Sequence, residues 1–181
     1  MADSVTNPLQ PTYIGIVKTE QDAMLLFDAC SKGALNLASR GPSHDETPEL
    51  IRSGCVFIYD KNTPSIQSWT DSTHWAPVSI ECSFRVERES DNIHGLFKKT
   101  ITKGDHHMIS FYTAADSAGG SLMSPSKDSE LRFAMLRAEL NSNLLVTHSS
   151  HDFTHVAGSQ HVVPFAFIKA SLPAKCPLPL Y

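Results

Sequence analysis

The chain has 181 residues, of which 41% are hydrophobic and 19% charged, and its 19 acidic and 15 basic side chains give a formal net charge of −4. This length suits one domain with a sizeable core, and the composition excludes a wholly disordered chain. The acidic balance argues against nucleic-acid binding, because such domains usually carry a basic excess, although a local basic patch can supply it. No run approaches the roughly 18 apolar residues of a membrane helix, so no membrane partner is expected.

The first part of the chain predicts an arm, a strand and a helix. Residues 1–11 are polar, contain two prolines and are predicted to form a flexible arm. The β-branched and aromatic run over residues 13–18 predicts a strand. Thr19 and Asp22 have the spacing of a capping box. They predict the start of a helix over residues 20–32, whose apolar side chains recur at helical spacing.

The middle of the chain predicts mainly strands. Residues 55–59 form a compact apolar run that ends at a turn signal. Apolar and polar residues alternate over residues 80–87, which predicts one half-buried strand of eight residues. Residues 96–102 and 107–113 are predicted to form a hairpin, because Gly104 and the aspartate after it suit a tight turn.

The last part of the chain predicts a second helix and an irregular end. Residues 129–140 carry one apolar helical face. Periodicity weakens after that point. Residues 162–168 predict an edge strand, since Pro164 lacks the N–H that an inner strand needs, and the prolines of residues 173–181 predict an extended tail. The order of elements predicts an α+β fold with a mainly antiparallel sheet.

No motif in the sequence predicts catalysis. The chain lacks a nucleophile elbow, a phosphate-binding glycine loop and a His-Glu-x-x-His motif, so no enzyme activity, cofactor or small-molecule substrate is expected. Four of its nine histidines lie close together, at positions His148, His151, His155 and His161. Imidazoles are good metal ligands, but the glycine and hydroxyl residues around them disfavour a helix that would group them. We therefore predict no metal site.

A polar stretch over residues 65–77 contains both tryptophans of the chain, Trp69 and Trp75. Two interpretations are open. Because tryptophan is costly to leave in water, both side chains can anchor a structured loop against the core. Alternatively, they stiffen a loop whose hydroxyl and backbone N–H groups meet phosphates or base edges of a nucleic acid.

This stretch belongs to a series of short segments spread over residues 12–135. They are Tyr13-Ile14-Gly15, residues 22–30, residues 50–57, Trp69-Thr70-Asp71 with Trp75 and Pro77, residues 95–101, residues 106–112, and Leu122 with Pro125-Ser126. In order and in spacing, these segments resemble the WOPR-domain family of fungal transcription regulators. The chain is identified on these segments as a compact, divergent member of the family.

The resemblance implies a fold of two intertwined β-rich lobes with a few short helices. The WOPR-like domain would span residues 12–140, with lobes at about 12–90 and 94–140, and residues 141–181 would form a C-terminal segment. The resemblance also implies a nuclear protein that binds A·T-rich double-stranded DNA and controls a developmental or morphological switch.

On the family pattern, the DNA-facing surface combines the Trp-Thr-Asp loop with basic residues. Arg52 would shape this surface, and Lys98 and Lys99 would contact the DNA backbone. Hydroxyl groups would come from a serine and a threonine, and the tryptophans would hold the loop rigid. The predicted contact residues are Arg40, Arg52, Ser53, Trp69, Thr70, Asp71, Lys98 and Lys99.

The sequence departs from the family pattern at positions where cations or a glycine are usual. Ser39-Arg40 stands in place of two arginines, Gln67-Ser68 in place of a basic pair, and Ser72 in place of the glycine. Each lost cation removes a phosphate contact or a base contact. The alternative hypothesis is therefore a WOPR-fold regulatory relative that acts through protein partners and has lost sequence-specific DNA binding.

Overall fold

The computed structural model describes residues 8–148, apart from residues 65, 67–68, 70, 91 and 93–94, and for residues 141–148 it describes the backbone alone. Within this part the strands are β1 (Tyr13–Ile14), β2 (Cys55–Asp60), β3 (Trp75–Glu81), β4 (Phe84–Glu89), β5 (Phe97–Lys103) and β6 (His106–Tyr112). The helices are α1 (Glu20–Ser31), α2 (Thr47–Leu50), α3 (Ala114–Gly119) and α4 (Ser129–His148), and a 3₁₀ turn spans Pro125–Lys127. None of these helices combines the length and hydropathy of a bilayer span.

The six strands form one antiparallel sheet in the order β1-β2-β6-β5-β4-β3. β2 pairs with β6, with Val56 opposite Ser110, and β4 pairs with β5, with Arg85 opposite Thr100. The strands of the second predicted lobe, β6 and β5, therefore lie between strands of the first lobe in one sheet. The predicted α+β class with a mainly antiparallel sheet is confirmed.

Each face of the sheet carries its own apolar core. On the first face α1 and α4 pack against the strands, and the large buried side chains there include Leu26, Phe27, Ile58, Phe84, Met108 and Leu131. On the second face the chain before β2 and the loop before β3 cover the strands, with Leu9, Ala38, Leu50, Phe57, Ile66, Ile109 and Phe111 buried. Residues 8–11, predicted as flexible, belong to this packing, since Leu9 is buried and its N–H donates to Glu46.

The predicted strand over residues 80–87 is wrong, because the segment is a hairpin. β3 ends at Glu81, Cys82 has a φ of 55°, and β4 begins at Phe84. Glu81 and Phe84 are paired and point to the same face of the sheet. Beside the turn, this face therefore carries odd-numbered residues of β3 and even-numbered residues of β4. Ile80 is consequently 82% exposed although Phe84 is buried.

Two other predicted boundaries also differ from the structure. The strand predicted over residues 13–18 covers Tyr13–Ile14 alone, because β2 begins at Cys55 and the chain then leaves it. The Gly15 N–H still bonds to Gly54, directly before β2, but the Ile16 N–H bonds to Met123. The second helix passes the predicted end at residue 140 and continues to His148, since no glycine or proline interrupts it. The edge strand at residues 162–168, the tail at 173–181 and residues 1–7 lie outside the described residues.

The carboxylate of Asp22 joins the start of α1 to the 3₁₀ turn. The predicted capping box is present, with the Thr19 hydroxyl accepting from the Asp22 N–H and the Asp22 carboxylate accepting from the Thr19 N–H at 2.9 Å. The same carboxylate accepts from the N–H of Lys18 at 3.0 Å and of Ser126 at 3.1 Å. One buried carboxylate therefore satisfies three backbone N–H groups from two separate segments of the chain.

We predict that Asp22→Ala lowers the free energy of unfolding by about 2–4 kcal/mol, since it removes a cap and three hydrogen bonds that a buried carboxylate accepts. Asp28→Ala, also in α1, removes an exposed pair with Lys32 and should cost less than about 1 kcal/mol. Urea unfolding of the two variants measures the difference. Equal costs would contradict the role given to Asp22.

Acid should weaken the fold through His107, which lies on the second face of the sheet. Its ring is 5.3 Å from that of Tyr59, and its Nδ1 is 2.7 Å from the hydroxyl of Thr102. Burial lowers the pKa of His107 below its ordinary value, and the positive charges of Lys61 and Lys98 lower it further. The unfolded chain therefore takes up this proton at a higher pH than the folded chain, so the free energy of unfolding decreases as pH falls below about 6.5.

We expect His107→Gln to flatten the decline in the free energy of unfolding between about pH 7 and pH 5, the range in which an ordinary histidine titrates. His74→Gln, at an exposed position, should leave the slope unchanged. Urea titrations at several pH values measure both slopes. A slope that His107→Gln does not alter would refute the assignment.

Candidate nucleic-acid interface

Five aromatic side chains, Phe57, Tyr59, Trp69, Trp75 and Phe111, form a continuous group on the second face of the sheet, which we call the aromatic array. The Trp69 ring lies 4.9 Å from Phe57 and stacks on Tyr59 at 5.8 Å. Trp75 lies 5.7 Å from Phe111. Both tryptophans are partly buried against the second core, which is the packing expected of side chains that anchor the loop.

Trp75 connects the Trp-Thr-Asp loop to β5. Its indole N–H donates to Oδ1 of Asp71 at 2.9 Å, and the backbone N–H of Thr73 donates to the same oxygen at 3.2 Å. The ammonium group of Lys98 lies 4.6 Å from the centre of the Trp75 ring, which is cation–π geometry. This arrangement fixes the loop between Asp71 and Trp75 against the sheet.

A second oxygen of Asp71 is buried without a hydrogen bond in the described structure. A cleft of about 300 Å³ lies beside this residue, and its lining is His44, Thr47, Pro48, Ile51, Asp71, Ser72, Thr73, Glu89 and Leu96. A buried carboxylate oxygen without a donor is costly. Because Asp71 and Glu89 are among the lining residues, the cleft disfavours a phosphate.

Ser53 takes part in a network that holds α3 to the start of β2. Its hydroxyl donates to Asp116 at 2.5 Å and accepts from the N–H of Thr113 at 3.1 Å. Asp116 also accepts from the hydroxyls of Thr113 and Ser121. The Ser53 hydroxyl bond holds the pKa of Asp116 below its usual value, and the bonds from Thr113 and Ser121 contribute. Ser53 is therefore engaged in supporting the fold.

Arg40 is engaged with a carboxylate in the loop before α2. Its guanidinium donates to both oxygens of Glu46, at 2.6 and 2.7 Å. Glu46 also accepts from the N–H groups of Ser43 and Leu9. The Arg40 bond, with these N–H groups, lowers the pKa of Glu46 far below its usual range. This bidentate pair closes the loop and anchors residue 9.

Lys98 and Lys99 point to opposite faces of the sheet, as neighbours in a strand do. Lys98 lies beside the aromatic array and pairs with Glu87 at 3.2 Å. Lys99 is buried on the first face, 4.7 Å from the centre of the Phe84 ring and 3.5 Å from a carboxylate oxygen of Glu81. Burial lowers its pKa, and the Glu81 carboxylate partly offsets this. The two lysines therefore do not form one basic patch.

The structure thus groups three of the predicted residues and disperses the others. Trp69, Asp71 and Lys98 lie around the aromatic array. Arg52 is exposed in the turn before β2 and forms no ion pair with any residue that the structure describes. Thr70 lies outside the described residues.

Sequence reasoning missed the acidic partners and one cation. Glu87 pairs with Lys98 and also with Arg85, because all three lie on one face of neighbouring strands. Lys61, exposed directly after β2, lies near His107 and adds positive charge to this face. The alternation of residues in β4 indicated that Glu87 shares a face with Arg85, whereas no local pattern indicated that Lys61 lies near His107.

Metal binding is not indicated in the described part of the chain, where no three His, Cys, Asp or Glu side chains are grouped to hold an ion. Three of the clustered histidines, at positions 151, 155 and 161, lie outside this part, and for His148 the backbone alone is described.

Several known proteins with similar sequences are named as fungal regulators. The model of the Gti1/Pac2 family matches residues 12–94. The global transcription regulator sge1 of Gibberella fujikuroi is 29% identical over an alignment covering 75% of this chain and 62% of that protein. Gluconate transport inducer 1 of Schizosaccharomyces pombe is 41% identical over 45% of this chain and 11% of that protein. The chain thus matches just under two thirds of the length of the sge1 relatives from Gibberella and Fusarium oxysporum.

Solved structures give the same result for the fold. The WOPR domain of Wor1 from Candida albicans, in complex with a 13 bp double-stranded DNA, matches with a TM-score of 0.61 and 31% identity. The match covers 71% of this chain and 96% of that domain. A second complex of the same domain, with a 17 bp DNA, matches with a TM-score of 0.60 and 33% identity. The chain therefore belongs to the Gti1/Pac2 family and has the WOPR fold.

Proposed function

We propose that the protein is a nuclear transcription regulator that binds A·T-rich double-stranded DNA. The observation that carries this proposal is the match to a WOPR domain in complex with DNA, which extends over 96% of that domain. The named transcription regulators among its relatives support the same function. The unit responsible would be residues 12–140, with lobes at 12–90 and 94–140, acting in a developmental or morphological switch.

The DNA-facing surface would be the side of the sheet that carries the aromatic array and the Trp-Thr-Asp loop. Aromatic packing and the Asp71–Trp75 hydrogen bond would hold the segment from Asp71 to Trp75 in one conformation before DNA arrives. A loop that is already ordered loses less conformational entropy on binding. The hydroxyl groups of Thr70 and Ser72 would then be available to phosphates or base edges.

Positive charge for this surface would come from Arg52, Lys61 and Lys98. Arg52 and Lys61 lie beyond the two ends of β2, and both are exposed. Lys98 would exchange its contact with Glu87 for a phosphate, at the cost of breaking a partly buried ion pair. We assign Lys99, Arg40 and Ser53 supporting roles, because each is held by a carboxylate or an N–H group of the fold.

We predict that Arg52→Ala and Lys98→Ala each weaken binding to a fluorescently labelled A·T-rich duplex and reduce the slope of log affinity against log salt by about 1. The matched control is Lys103→Ala, which removes an exposed cation from the last residue of β5. Fluorescence anisotropy at about 50 and 200 mM salt, where phosphate contacts differ strongly in strength, measures both effects.

A G·C-rich duplex of equal length is the specificity control in that titration. Weaker binding to it supports sequence selection, and equal binding at both salt concentrations would overturn the A·T preference. Loss of affinity in Lys103→Ala equal to that in Arg52→Ala would show that the basic contacts lie elsewhere on the surface.

The alternative function is a regulator that acts through protein partners and does not read DNA. One observation favours it: four basic residues near the predicted interface or in its strands already face carboxylates, in the pairs Arg40–Glu46, Arg85–Glu87, Lys98–Glu87 and Lys99–Glu81. The expected result for this alternative is a folded chain without measurable binding to either duplex at low salt. Size measurement with a candidate partner would then identify the complex.

A further inference from the structure

An apolar stripe runs along the solvent side of α4. Leu131 and Met135 face the first core and are buried. Phe133, Leu136 and Leu140, at positions i, i+3 and i+7, lie on the other side and are 62%, 57% and 63% exposed. Contiguous apolar surface of this kind on a helix commonly marks an interaction site. None of the proposed DNA contacts lies on α4, so the stripe needs a separate explanation.

The charges beside the stripe have a definite pattern. Glu130 and Arg137 lie on one side of it, and Arg132 and Glu139 on the other. Arg137 also lies 5.8 Å from the centre of the Phe133 ring. In paired helices, residues that flank the apolar seam contact their counterparts on the other helix and determine its orientation.

We propose that α4 is a self-association surface on which a second copy of the chain docks in antiparallel orientation. With Phe133 of one copy against Leu136 of the other, Glu130 lies opposite Arg137 of the second copy on one side of the seam. On the other side Arg132 lies opposite Glu139 of the second copy, which keeps its ion pair with Lys32 of its own chain. Every flanking contact is then between opposite charges.

The same charges disfavour a parallel second copy, and also the C-terminal segment of the same chain, as the partner of the stripe. A parallel pair would place Arg132 beside Arg137 of the second copy, which is a repulsion across the seam. Residues 161–168 of this chain are the apolar part of the C-terminal segment, and they contain no Asp, Glu, Lys or Arg to match the four charges. A second copy is therefore the occupant with matching charge.

The contact area of one helix pair is small, so we expect a weak dimer that forms at micromolar concentrations or above. Sedimentation velocity of the full 181-residue chain without DNA, from about 1 µM to about 300 µM, covers the range of weak interfaces. The expected result is a concentration-dependent increase from the 19.9 kDa monomer towards twice that mass. A monomer at every concentration, including one whose stripe is covered by its own C-terminal segment, would overturn the proposal.

A charge exchange tests the orientation. Arg137→Glu and Glu130→Arg each place like charges opposite one another and should weaken the dimer several-fold, whereas the double variant should restore it to within about threefold of the parent. Lys103→Glu makes the same change in net charge as Arg137→Glu at an exposed site on the sheet and should leave the dimer unchanged. Failure of the double variant to restore association would exclude the antiparallel contact.

The apolar contact is tested with Leu136→Glu, which should raise the dissociation constant at least about tenfold because it places a charge in the seam. Leu136 is exposed, so the variant should fold, and circular dichroism verifies this. A folded variant that dimerises as well as the parent would show that association uses another surface. These measurements need no DNA, so their outcome is separate from that of the proposed DNA binding.

Discussion

The antiparallel pairing of β2 with β6 is the contact on which the rest of the structure depends. It brings Val56 opposite Ser110 and Phe57 opposite Ile109, so it closes the long loop that contains β3, β4 and β5. Once formed, it creates both cores together. β2 contributes Ile58 to the face covered by α1 and Phe57 to the face covered by the tryptophan loop. Loss of this ladder would therefore disconnect α1 and α4 from the candidate interface, because the sheet joins the two.

The fold could be predicted from the sequence where a signal is local. The capping box at Thr19 and the turn at Gly104 each depend on a few neighbouring residues, and both are present in the structure. The prediction failed at Cys82 because the alternation of apolar residues continued across a turn that reverses the chain. Pattern alone cannot distinguish a straight strand from a tight hairpin there, since the exposed Ile80 looks the same as a buried residue in sequence.

The grouping of the loop side chains was predictable from the sequence, whereas the ionic partners of the basic residues were not. The tryptophans and Asp71 lie together as the family pattern implied, because loop residues close in sequence stay close in space. The availability of each cation depends on partners from other strands and loops. The separation of Lys98 from Lys99 follows from strand geometry alone. The Arg40–Glu46 pair also ties down Leu9, a contact over long sequence distance that no local pattern indicates.

The two outer strands of the sheet also determine how this protein behaves at high concentration. β1 has two residues, and β3 contains Pro77 with a register shift beside it. Short strands, prolines and bulges at the margins of a sheet oppose the addition of strands from neighbouring molecules. Val78 and Ile80 can thus stay in water on β3 without seeding fibrous aggregates.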